Sequence, residues 1–137
     1  MLRKRIIPCL LLRNGALVKA VKFNKFAYIG DPANTIRIFN ELEVDELILL
    51  DILVSKLKKE PDFELIKEVS AECFMPLTYG GGIRSVEDMR KILSIGVEKI
   101  TINTSALKNP KLIEKGAKNF GSQCIIGSID IKKKYFW

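Results

Sequence analysis

"PLTYGGGIRSVEDM", residues 76–89, passes from an apolar run through three consecutive glycines into helix-forming sequence. Glycine is the most permissive residue, and ordering it inside a regular element costs about 0.5–1 kcal/mol relative to alanine. Three together at a strand-to-helix junction mean that the backbone turns sharply there, or that something approaches it closely. Beyond the glycines, Ser85 and Asp88 are spaced as a capping box for the helix. The stretch reads as a strand at 76–80 feeding a helix at 85–96 that ends at Gly96.

The same unit recurs on both sides. Upstream, 5–12 reads as a buried strand, followed by a long loop, and 31–42 as a helix with Asp31 as N-cap and Pro32 in its first position. A strand at 45–52 and a helix at 60–74 come next, and downstream lie a strand at 98–104, a helix at 109–121 and a strand at 123–130. "EVDELILLD" (43–51) is echoed by "GVEKITINT" (96–104). Strict alternation of apolar strands with helices implies a parallel sheet covered by helices. An eight-unit barrel and a doubly wound sheet are both built this way, and the pattern leaves both open.

A complete eight-unit barrel needs about 250 residues, and this chain has 137. Half a barrel would expose two sheet edges and an apolar lumen. The chain therefore reads as one partial domain, residues 1–137, interrupted after the fifth strand of a longer protein. A self-associating half-barrel is the other option.

Hydrophobic residues make up 47% and charged residues 28%, a globular composition. No apolar run approaches the ~18 residues of a membrane span, and "RNGALVK" offers no small-residue cleavage site for a signal peptide. Cys9, Cys73 and Cys124 are odd in number and scattered, which argues against disulfides or zinc and for a reducing cytoplasm. With no histidine, acid–base chemistry must fall to carboxylates, lysines or tyrosines, and a His-ligated metal is excluded. The net charge of +7 fits a solvated basic surface or a phosphorylated ligand. Lys132, Lys133 and Lys134 are too short a run to make a nucleic-acid patch.

In parallel α/β folds ligands bind at the carboxyl ends of strands. Gly80, Gly81 and Gly82 sit at such an end, before a helix N-terminus, so their bare amides can cradle a phosphate. Asn103 and Thr104 end the next strand and add amide and hydroxyl donors. The alternative is a tight turn that binds nothing.

Taken together, "KRIIPCLLLRNGALVK", "GDP", "DELILLDI", "YGGGIRS", "INTSAL" and "FGSQCIIGSID" resemble the cyclase subunit of imidazole glycerol phosphate synthase, across essentially the whole chain. The resemblance implies the N-terminal half of a (βα)8 barrel and a lyase-type synthase in a heterodimer with a glutaminase. That synthase would use ammonia on a phosphorylated ribulosyl–aminoimidazole carboxamide nucleotide, with no metal or organic cofactor. It further implies Asp130 as a catalytic carboxylate and Lys19 as a substrate-binding residue. Gly81, Gly82, Asn103 and Thr104 fall to phosphate binding, and Arg5, Glu46 and Lys99 to a charged ring guarding the ammonia entrance. Without the resemblance, that ring reads as a salt-bridged barrel bottom.

One position departs from that pattern. Where the family carries a second catalytic aspartate, at the end of the first strand, this chain has Leu11. Ring closure with ammonia needs one group to give a proton while another takes one, and leucine does neither. Lys19 and Tyr79 are the nearest substitutes. Asp51 is either a loop-bracing or a catalytic carboxylate, with alternation from Glu46 pointing it away from the lumen. Leu11, with "IPCLLL" and "ECFMPLTYGGGI", resembles a divergent branch that amidates sugars of surface polysaccharides, converting an N-acyl group to an amidine. A non-catalytic phosphate-binding scaffold is the competing expectation.

Overall fold

Among the described residues, seven strands and five α-helices follow one another as β1 (Cys9–Arg13), β2 (Ala16–Val21), β3 (Lys25–Gly30), α1 (Pro32–Glu41), β4 (Leu47–Asp51), α2 (Phe63–Glu72), β5 (Leu77–Gly80), α3 (Val86–Ser94), β6 (Lys99–Ile102), α4 (Thr104–Lys108), α5 (Lys111–Phe120) and β7 (Ile125–Gly127). This computed structural model describes residues 3–133. Lys134 of the basic run lies outside them. Among the described residues, no helix is long and apolar enough to cross a membrane.

The strands form one sheet in the order β3-β2-β1-β4-β5-β6-β7. Its five-strand body, β1-β4-β5-β6-β7, is parallel and runs in chain order. A doubly wound sheet reverses its order at a switch point; this one does not. Helices also cover a single face. Leu10, Leu12, Leu47, Leu49, Leu77, Tyr79, Ile100 and Ile102 pack into one core with Ile36, Ile66, Val69, Met89, Ile92 and Leu112. These strand residues share one parity, so the alternate set, including Leu11, Leu50, Gly80 and Thr101, faces the other way. The fold is α/β, the N-terminal half of a (βα)8 barrel, with helices outside and the lumen face opposite.

Local chemistry explains the element ends. Asp31 caps α1 by accepting from Asn34 N–H at 3.0 Å, with Pro32 opening the helix. Ser85 and Asp88 close a reciprocal capping box on α3. The helix expected from 60 starts later, because Asp62 accepts from Leu65 N–H at 3.1 Å and sets the first turn.

The long loop expected after the first strand is instead a hairpin. Asn14 and Gly15 both have positive φ (51° and 76°), the signature of a two-residue turn that matches strand twist. They fold β2 back antiparallel on β1, and a second turn at Lys22 and Phe23 folds β3 on β2. Two other boundaries move. A separate short α4 follows β6, and regular pairing of β7 ends at Gly127, leaving Asp130 beyond the strand.

Candidate functional site

The glycines just after β5 make room for protein as well as for solvent. A Cβ on Gly81 (φ +130°) would lie 2.5 Å from the Asp51 carbonyl oxygen, and one on Gly82 (φ +70°) 2.4 Å from Val54 Cγ1. The close approach is therefore made by the loop after β4. Asp51 shapes that loop by accepting from Leu53 N–H at 3.0 Å and Val54 N–H at 3.2 Å. Of its two possible roles, this geometry supports bracing. Burial raises the Asp51 pKa, the two amides pull it back, and the nearby Asp62 charge adds to the rise.

The amides that follow the glycines are partly taken up by the cap of α3. Arg84 and Ser85 N–H groups donate to Asp88 Oδ2 at 2.9 and 3.0 Å, and Asp88 N–H donates to Ser85 Oγ at 3.1 Å. The capping box has taken these donors. Gly82 N–H is also engaged, donating to Ser55 Oγ at 3.0 Å.

What remains is a cleft of about 280 Å³ on the lumen side of the strand ends. Its polar lining includes Gly81, Gly82, Asn103, Thr104, Ser55 and Asp130, and its apolar lining Leu11, Leu50, Phe23 and Phe26. Arg13 of β1 stacks over the Phe26 ring at 4.5 Å, fixing the hairpin beside the cleft. Asn103 precedes α4 without making a side-chain cap. Its Nδ2 instead donates to Asp130 Oδ2 at 2.6 Å, bringing an expected phosphate ligand and the expected catalytic carboxylate together. Ser105 Oγ donates to the Ile83 carbonyl at 2.6 Å, locking the loop after β6 to the loop after β5.

Two expected substitutes for the missing aspartate lie elsewhere. Lys19 sits opposite Ala27 in the β2–β3 ladder, and the cleft is lined by its neighbour Ala20 instead. Tyr79 is 1% exposed and packed in the helix-side core, across the sheet from Leu11, with no hydrogen-bond partner for its hydroxyl among the described residues. Burial drives its pKa up, and the charges of Asp51 and Asp62 drive it further. A phenol so held stays protonated and out of reach of the cleft.

At the opposite end of the strands, Glu46 pairs with both Arg5 and Lys99, the latter at 2.7 Å. The three residues of the expected ring are thus one cluster around a carboxylate that is largely buried. Among the described residues, no three His, Cys, Asp or Glu side chains converge as a metal-binding group. Sequence reasoning missed Ser55 and Lys56, which line the cleft from the loop after β4. Their position just past a strand's carboxyl end was the available signal.

Comparison with known proteins agrees with this architecture. Residues 5–136 match the family model described as histidine biosynthesis protein. The whole chain is 60% identical to 54% of a Pseudomonas aeruginosa protein provisionally named imidazole glycerol phosphate synthase subunit hisF2. A Campylobacter jejuni protein of the same provisional name is 54% identical over 98% of the chain and 54% of its own length. Imidazole glycerol phosphate synthase subunit HisF of Methanococcus vannielii is 47% identical over 98% of the chain and 50% of its own length. The chain spans about half the length of the curated relatives it matches.

Proposed function

Because this chain belongs to the histidine biosynthesis protein family, we propose that it supplies the ammonia-accepting half-site of a glutamine-dependent synthase that acts on a phosphorylated substrate. The observation that carries this is the Asn103–Asp130 hydrogen bond beside Gly81, Gly82 and Thr104 on one cleft. Asn103 occupies one carboxylate oxygen of Asp130 and leaves the other free to take a proton. Ammonia sheds protons as it forms a carbon–nitrogen bond, so a held carboxylate at that point serves as general base. Gly81, Gly82, Asn103 and Thr104 bind the phosphate, and the Arg5–Glu46–Lys99 cluster forms the ammonia entrance facing a glutaminase partner. Lys19 is kept as a substrate-binding residue of the hairpin, where its neighbour Ala20 lines the cleft.

Within this reading, Leu11 favours amidation of a nucleotide-linked or phosphorylated sugar over imidazole ring closure. It turns an apolar side chain into the cleft where the opposed acid would stand. Amidation closes no ring: ammonia adds to an acyl carbon whose oxygen a nucleoside triphosphate has activated as a phosphate ester, phosphate leaves as the carbon–oxygen bond breaks, and one carboxylate takes the proton shed by nitrogen. The same residue supports a second reading, a non-catalytic phosphate-binding scaffold. Assaying the full-length protein with ammonium and the ribulosyl–aminoimidazole carboxamide nucleotide separates these. The amidation reading expects no imidazole product from the native protein and a gain of it in Leu11→Asp. Cyclisation by the native protein at an ordinary enzymatic rate sinks that reading. A protein that binds phosphate but incorporates ammonia into no phosphorylated or nucleotide-linked acylamino sugar is the scaffold.

A further inference from the structure

An anion in this cleft meets a shortage of donors and of positive charge. The Arg84 and Ser85 amides are spent on Asp88, the Asp88 amide on Ser85, and the Gly82 amide on Ser55. Both Asp51 and Asp130 line the walls, while Lys19 does not. A phosphate beside two carboxylates with no cation would be repelled. The loop after β4 holds what is missing.

We propose that Ser55 and Lys56 complete the anion subsite, Ser55 by donating its hydroxyl proton and Lys56 by supplying the compensating charge. The inference rests on the phosphate reading above and adds two residues to it. A serine hydroxyl carries one donor and two acceptor positions. Ser55 Oγ accepts from Gly82 N–H, and among the described residues its own proton has no acceptor. The hydroxyl thus extends the Gly82 amide by one atom into the cleft, and accepting that bond polarises it into a better donor. Lys56 is the one basic side chain among the cleft-lining residues, and it makes no ion pair among the described residues. Both residues are held in place by the segment just before them. Asp51 and Val54 pack against Gly81 and Gly82, and Leu57 and Lys59 N–H groups donate to the Leu53 and Val54 carbonyls at 3.0 and 3.1 Å.

Calorimetric titration of the protein with inorganic phosphate tests this, using Ser55→Ala, Ser55→Thr and Lys56→Gln, with Asn103→Ala as control. Ser55→Ala weakens binding about fivefold to tenfold, and Ser55→Thr, which keeps the hydroxyl, restores most of it. Lys56→Gln weakens binding about threefold to tenfold and flattens its dependence on salt. If Ser55→Ala binds phosphate as tightly as the native protein or tighter, the Gly82 amide meets the anion directly and Ser55 is out of the subsite. Native affinity and salt dependence in Lys56→Gln remove Lys56 in the same way. Should Asn103→Ala alone weaken binding, this inference fails while the phosphate reading stands; should the native protein take up no phosphate, both fail. Both side chains are exposed, so matching thermal unfolding curves confirm that the variants fold.

Discussion

The side-chain amide of Asn103 donates to Asp130 Oδ2 at 2.6 Å, linking the end of β6 to the segment beyond β7. A carboxylate that accepts such a bond is held in one rotamer, which is what a proton acceptor in a site needs. Asn103→Ala is expected to lower ammonia-dependent kcat about tenfold to a hundredfold by releasing Asp130. Asp130→Asn, which removes the proposed base, is expected to lower it about 10²- to 10⁴-fold. Steady-state kinetics at saturating ammonium distinguish the two, and equal losses would show that Asn103 does more than orient Asp130.

Gly82→Ala and Gly81→Ala are expected to destabilise the fold by about 2–4 kcal/mol each, combining positive φ with a steric clash. Their new Cβ atoms would meet Val54 Cγ1 at 2.4 Å and the Asp51 carbonyl at 2.5 Å. Gly15→Ala is the control, since Gly15 has φ +76° with nothing within 4 Å. It meets only the strain of a Cβ at left-handed φ, about 1–2 kcal/mol. Denaturant unfolding midpoints of the three variants check the ordering.

Asp51 has a folded-state pKa raised above its ordinary value of 3.8, chiefly by burial. The folded state therefore holds this proton more tightly than the unfolded chain does. As pH rises from the ordinary value through the raised one, Asp51 makes the fold less stable, and above that window the loss is complete. Asp51→Asn keeps an oxygen acceptor for Leu53 and Val54 N–H and removes the titration, so its stability loses this downward slope. Asp51→Ala strips both amides of their acceptor and costs about 1–3 kcal/mol at neutral pH. Unfolding titrations across the acid range read both effects.

Glu46 is 8% exposed and holds Lys99 and Arg5 together. Glu46→Ala leaves the half-buried Lys99 without its carboxylate and is expected to cost about 1–2 kcal/mol. Arg5→Ala, with a side chain 61% exposed, costs less than about 1 kcal/mol. A double-mutant cycle on the Glu46–Lys99 pair checks the coupling.

The βα alternation and its capping residues were readable because each rests on local chemistry: Asp31 with Pro32, Ser85 with Asp88, and glycine after β5. Even the pairing of Glu46 with Lys99 was prefigured by the echo between residues 43–51 and 96–104, which puts both at matching strand beginnings. The hairpin was missed although Asn14–Gly15 announces it. Its return turn has Lys22 and Phe23 at positive φ (52° and 58°), residues that advertise no such turn. Barrel and doubly wound sheet differ only in long-range strand order, which no local pattern carries. The same is true of the cleft. That Gly82 N–H is claimed by Ser55, and the Arg84 and Ser85 amides by Asp88, depends on where a neighbouring loop and cap come to rest.

The central claim is that an anionic group seats on the lip formed by the loops after β5 and β6. Backbone amide shifts followed by NMR during titration with inorganic phosphate test it most directly. The largest, saturable shifts are expected at Gly81, Gly82, Asn103 and Thr104. Shifts that gather on the lysine-bearing outer helices, with those four amides unmoved, would contradict it.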